Sequence, residues 1–146
     1  MTNRTIAMKW WNDMSHSEKG LYMEGEFKHR HPQSLTGREI EKLYDGEIEK
    51  LKTFFEENGF NVSLHIQDNV QCAELEKWTF GGVDMIIWLN PFTAEEFKSY
   101  VNDFDIDEQI DNHRQDKSYK NNFTLSQSLT DFADFHNELK EVASKL

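Results

Sequence analysis

The sequence predicts an α+β fold: a small three-stranded antiparallel sheet covered by helices, in the order α-α-β-β-β-α-α-α. Three observations predict it. A capping box at Thr36-Gly37-Arg38-Glu39 opens a run of apolar residues spaced three or four apart, which stops at Asn58-Gly59. Period-two alternation then fills residues 61–89, broken by two turn signals. Helical spacing returns after a further capping box at Thr93-Ala94-Glu95-Glu96.

The first helix starts at the capping box Ser15-His16-Ser17-Glu18, with Leu21, Tyr22 and Phe27 as its apolar face. His29-Arg30-His31-Pro32 ends it, because Pro32 pushes His31 out of the helical region. The second helix has a hydrophobic staple, Leu35 with Ile40, and a stripe of Ile40, Leu43, Tyr44, Ile48, Leu51, Phe54 and Phe55. Gly59 can take the left-handed conformation, which lets Phe60 close on Phe55 in a Schellman motif.

Asn61 to Gln67 is the first strand, with Val62, Leu64 and Ile66 on one face and Ser63, His65 and Gln67 on the other. Asp68-Asn69 is a turn. Gln71 to Phe80 is the second strand, with Ala73, Leu75 and Thr79 opposite Cys72, Trp78 and Phe80. Gly81-Gly82 reads as a two-residue hairpin, both glycines tolerating positive φ. Val83 to Leu89 is the third strand. Ile86 and Trp88 make its second face apolar too, which predicts a central or well-covered strand.

Phe92 and Phe97 staple the next helix, whose stripe is Phe97, Tyr100, Val101 and Phe104. Asp105 caps a short helix anchored by Ile106 and Ile110. Thr124 to Leu146 is the last, with Leu125, Leu129, Phe132, His136, Leu139, Ala143 and Leu146 on one line.

Length predicts a single domain over residues 1–146, with 1–33 as an N-terminal helical appendage. Eleven Phe, four Trp and four Tyr supply core material and argue against disorder. No apolar run approaches the roughly 18 residues of a membrane span, and the start of the chain has no apolar stretch of signal-peptide length. One cysteine, Cys72, excludes an internal disulfide and fits a reducing, cytoplasmic setting.

The formal net charge is -11. It is unevenly placed: residues 1–50 carry eight basic and nine acidic side chains, residues 51–146 eight and eighteen. This argues against direct nucleic-acid binding, which needs Lys and Arg on phosphates. The middle segment has the element order of a double-stranded-RNA-binding domain, yet Thr93-Ala94-Glu95-Glu96 stands where that module needs basic residues.

The candidate sites are few. Asp103-Phe104-Asp105-Ile106-Asp107 has the opening of an EF-hand loop, but Glu108 replaces the turn glycine and Arg114 the closing glutamate. Acids at a helix start are explained by the macrodipole. His29 and His31 have no Cys or acidic pair to complete a zinc site, and His136 fits a satisfied boundary position. A Cys72–His65 nucleophile pair would need an orienting group and an open cleft, so an inert buried thiol is expected. No phosphate loop, nucleophile elbow or zincin motif occurs, so neither enzyme activity nor a cofactor or metal is expected. Trp10-Trp11 either fills the core or forms an aromatic anchor for a partner.

Two stretches carry a resemblance. One runs from Glu76-Lys77-Trp78-Thr79-Phe80-Gly81-Gly82-Val83-Asp84-Met85 through Phe104-Asp105-Ile106-Asp107-Glu108 to His113-Arg114-Gln115-Asp116; the other is Leu35-Thr36-Gly37-Arg38-Glu39-Ile40 with Tyr44 and Glu47. They resemble small accessory proteins carried by bacterial phages and conjugative elements. The resemblance implies a setting in which small acidic proteins inhibit host restriction enzymes and CRISPR nucleases. It transfers no functional residue.

With the charge, this gives the expected function: a mobile-element inhibitor whose carboxylates Glu95, Glu96, Asp103, Asp105, Asp107, Glu108 and Asp111 occupy the basic groove of a nucleic-acid-binding host protein. The alternative is a non-catalytic interaction module using an aromatic patch, with Trp10 and Trp11 as anchors and self-association open.

Overall fold

In a computed structural model, which describes residues 4–115 and 125–146, the described residues form six helices and one three-stranded antiparallel sheet, an α+β fold in the expected order. One helix more than expected stands at the front. It is α1 (Arg4–Asn12), which buries Ile6, Ala7 and Trp11 and packs on α3 (Gly37–Glu57). Between them α2 (His16–Tyr22) starts at the Ser15 capping box, with both reciprocal bonds made. It is shorter than expected and does not bury its apolar face. Leu21 is 74% exposed, and Phe27 reaches the core from a separate 3-10 turn, Gly25–Phe27. Gly25 at φ +74 explains the break, because a helix cannot continue through the left-handed region.

Helix α3 follows its sequence signals closely. Thr36 and Glu39 form the capping box, and Ile40, Tyr44, Ile48 and Phe55 are buried. At its end the Phe60 amide donates to the Phe55 carbonyl and the Gly59 amide to the Glu56 carbonyl. With Gly59 at φ +91 this is the Schellman motif, and the Phe55 and Phe60 rings meet at 5.7 Å.

The strands β1 (Asn61–Gln67), β2 (Val70–Trp78) and β3 (Asp84–Leu89) lie side by side in chain order. Asp68 and Asn69 make the first turn, both at positive φ, which their short polar side chains tolerate. The second connection is not the expected two-residue hairpin. Thr79 N donates to Val83 O, and a three-residue loop, Phe80-Gly81-Gly82, lies between them. Only its last glycine is left-handed, at φ +89.

Ala73, Leu75, Met85, Ile87 and Leu89 turn one sheet face into the core. The same buried cluster takes in Phe55, Phe92, Phe97 and Phe132, together with Ile6, Trp11, Met23 and Phe27 from the first third of the chain. Helix α4 (Ala94–Asn102) contributes Phe97 and Val101, and α5 (Ile106–Gln115) contributes Ile110. Helix α6 (Leu125–Ser144) buries Ser128, Asp131, Phe132, Phe135, Leu139 and Val142. Its stripe is therefore rotated from the expected line: Leu125 and Leu129 face outward, whereas Phe135 and Val142 go inside. Thr124, the expected start, lies outside the described residues.

Candidate functional site: the open face of the sheet

β3 is an edge strand, and its second face is not covered. This corrects the expectation of a central or well-covered strand. Ile86 is 58% exposed and Trp88 41%, although both alternate with residues at the bottom of the core. Antiparallel partners share a face, so the register assembles this surface directly. Glu74 lies opposite Trp88, Glu76 opposite Ile86, and Trp78 opposite Asp84. Trp78 is 57% exposed, and Phe80, in the loop just beyond, 96%. Toward the other edge the His65 ring, from β1, meets Trp88 at 5.8 Å between centroids. Burial on this face falls steadily along β2, from Cys72 through Glu74 and Glu76 to Trp78.

Three features make the surface more than stray exposure. The loop that displays Phe80 is rigidly held. Besides the Thr79–Val83 bond, Gly82 N donates to Thr79 O, Val83 N to Thr79 Oγ1, and Gly81 N to Asp131 Oδ1 on α6 at 2.7 Å. The apolar groups are interleaved with carboxylates. Finally, Asp84 Oδ1 is buried with no hydrogen-bond partner among the described residues, although an unmet acceptor of this kind normally costs stability. Burial, and then a hydrogen bond with the neighbouring Glu76 carboxylate and the charge of that group, hold the Asp84 carboxyl above its usual range. Asn61 Nδ2 donates to Glu76 Oε1 at 3.3 Å from the adjoining strand.

The residues singled out from sequence lie elsewhere. Trp11 is buried in the core at 3% exposure. Trp10 is partly buried, packed on Tyr22 at 5.1 Å and Tyr44 at 5.2 Å, and lines a groove of ≈ 1090 Å³ between the N-terminal helices and the start of β2. Glu95, Asp103, Asp107, Glu108 and Asp111 are exposed, and Glu96 is partly covered. Asp105 is engaged as a cap, its Oδ1 accepting from Asp107 N and Glu108 N. These acids line α4 and α5, apart from the open sheet face.

His65 and Cys72 are direct cross-strand partners, but Cys72 has no accessible surface and burial pushes its thiol up. A protonated thiol is a poor nucleophile. His136 bonds the Val101 carbonyl at 2.9 Å and stacks on Phe104, as a boundary histidine should. His31 uses Nδ1 to accept from Gln33 N. Among the described residues no three His, Cys, Asp or Glu side chains gather as a metal-ligand set, and no helix is long and apolar enough to cross a membrane. The side chain of Arg114 lies outside the described residues.

The sequence signal for the open face was present in Trp78, Phe80, Ile86 and Trp88, all of one parity. Period-two patterning records that a face is apolar, not whether the cell covers it with the same chain or with another. Comparison with protein families, curated proteins and solved structures finds no match to this chain.

Proposed function

We propose that the protein is a non-catalytic binding module that docks a basic protein segment on the open face of its sheet. The observation that carries this reading is the exposure of Trp78, Ile86 and Trp88 on one face of the sheet, with Phe80 in the loop beside them. Aromatic residues of this kind dominate binding energetics when a partner covers them. Charge complementarity chooses the partner. Glu74, Glu76 and Asp84 sit among the apolar groups, and the chain carries -11 overall. A second copy placed symmetrically on this face would bring its own acids against the same neighbourhood, whereas Lys and Arg find both carboxylates and ring faces.

A second reading rests on the exposed acids of α4 and α5. That row would occupy the basic groove of a nucleic-acid-handling defence enzyme, such as a restriction enzyme or CRISPR nuclease of the host.

One selection experiment separates the two. A displayed peptide library is panned on the immobilised protein, and selected peptides are titrated against Phe80→Ala, Trp88→Ala and an Asp103→Lys/Asp107→Lys/Glu108→Lys triple variant. The sheet-face reading expects peptides that mix Arg or Lys with aliphatic or aromatic residues, losing at least about tenfold in affinity on either aromatic truncation. Loss confined to the charge-reversed variant transfers the function to α4 and α5. Peptides without basic residues, or binding indifferent to all three variants, overturn the sheet-face reading.

A further inference from the structure

Within the docking face just proposed, on which this inference rests, we propose that a guanidinium or ammonium group of the partner is seated between the Trp78 ring and the carboxyl pair of Glu76 and Asp84, and that seating it expels a proton. The geometry comes from the strand register. Trp78 is the direct cross-strand partner of Asp84, and Glu76 lies diagonally beside it, across from Ile86. The three groups thus surround one point near the Phe80 loop. Asp84 Oδ1 is buried, and the Asp84 carboxyl is hydrogen-bonded to Glu76, so the pair holds a proton at the place an incoming cation would take. The Trp78 ring is more than half exposed, leaving its face free for a cation.

No cation of this chain fills the seat among the described residues. Lys77 is the nearest in sequence, but it has the opposite parity. Its ammonium bonds the Asn58 carbonyl at 3.1 Å, pairs with Glu138 at 3.7 Å and lies over the Phe60 ring. The charged or titratable groups on the open face are Cys72, Glu74 and Glu76 from β2, Asp84 from β3 and His65 from β1, which lies against Trp88; the Cys72 thiol is fully buried and pushed up by burial. Asn61 adds a neutral donor, already given to Glu76.

Two carboxylates held this close disfavour double ionisation, which agrees with the raised Asp84 carboxyl. A proton and a cation therefore compete for one place. When the cation binds, Asp84 gives its proton to solvent and both carboxylates are ionised around the incoming charge. Affinity for a cationic partner should rise with pH through the acid range, until Asp84 is ionised without help.

The test uses two synthetic peptides of alternating leucine and arginine, one with every arginine replaced by citrulline, its neutral isostere. Binding to the full chain is followed by tryptophan fluorescence between about pH 4.5 and about pH 8, where a competing carboxyl proton acts. The arginine peptide should tighten about tenfold or more across this range, and the citrulline peptide should not change. Asp84→Asn should flatten the arginine profile, and Glu76→Gln should do the same if Asp84→Asn fails to fold by circular dichroism. A flat wild-type profile, or one that survives both substitutions, overturns the cation seat and leaves the docking face standing. Failure of both peptides to bind, or binding unchanged in Phe80→Ala and Trp88→Ala, overturns the docking face itself.

Discussion

Phe55 has no accessible surface and meets the rings of Phe54, Phe60, Phe92 and Phe97 at 4.9–6.0 Å. It joins the end of α3 to the start of α4 through the sheet core. Phe55→Ala should cost about 3–5 kcal/mol, because the surrounding rings cannot collapse into the space; urea unfolding measures it. Three tyrosines report on burial in a different way. Tyr22, Tyr44 and Tyr100 are each pushed up to about 12, in every case chiefly by burial. An unfolded tyrosine titrates near 10. These groups are raised, so their contribution is fully present below the unfolded value and is lost as pH rises through the folded one. The urea midpoint should therefore fall between about pH 10 and about pH 12, and Tyr100→Phe should lessen the fall.

Among the elements, α3 and its closure are legible residue by residue, because a capping box, a staple and a Schellman glycine are local devices that act wherever they stand. Helix α1 is not legible. Ile6, Ala7 and Trp11 make only a short stripe; the helix packs on α3, which presents a surface for Ile6 and Trp11, a tertiary cause that spacing does not record. The turn of α6 about its axis is of the same kind. Ser128 and Asp131 are buried without being hydrophobic: the Asp131 carboxylate is drawn inward to meet the Gly81 amide, and the small Ser128 is enclosed with its Oγ unpartnered among the described residues. The Trp pair follows. Trp11→Ala should destabilise the fold by about 3–5 kcal/mol in thermal or urea unfolding, whereas Phe80→Ala should change it by about 0.5 kcal/mol or less, since that side chain is not enclosed. A large loss at Phe80 would mean that the loop closes on something after all. The open face is written in the strand pattern, but the pattern predicts a central or well-covered β3, because a strand apolar on both sides looks the same whether helices or a partner cover it.

For the whole molecule, charge and shape work on different faces. The core side of β2 and β3 is closed by aromatic residues from α3, α4 and α6, while Leu64 and Ile66 of β1 stay partly open, and the acids after residue 50 are spread over α4, α5, α6 and the open face. Complexes formed through that surface should weaken steadily as salt rises from about 0.05 M to about 0.5 M, since exposed charges are screened over that range; calorimetric titration against an arginine-bearing peptide measures it, and salt-independent binding would point to apolar contact alone. The bond from the Gly81 amide to Asp131 reaches across 50 residues. It also sets an order of events at the ribosome. The β2–β3 loop emerges long before its acceptor has been synthesised, and the sheet then lacks the rings of Phe132 and Phe135. During that interval the core side of the sheet is covered by α3 but still lacks the rings of α6, and the arrival of the last helix completes it.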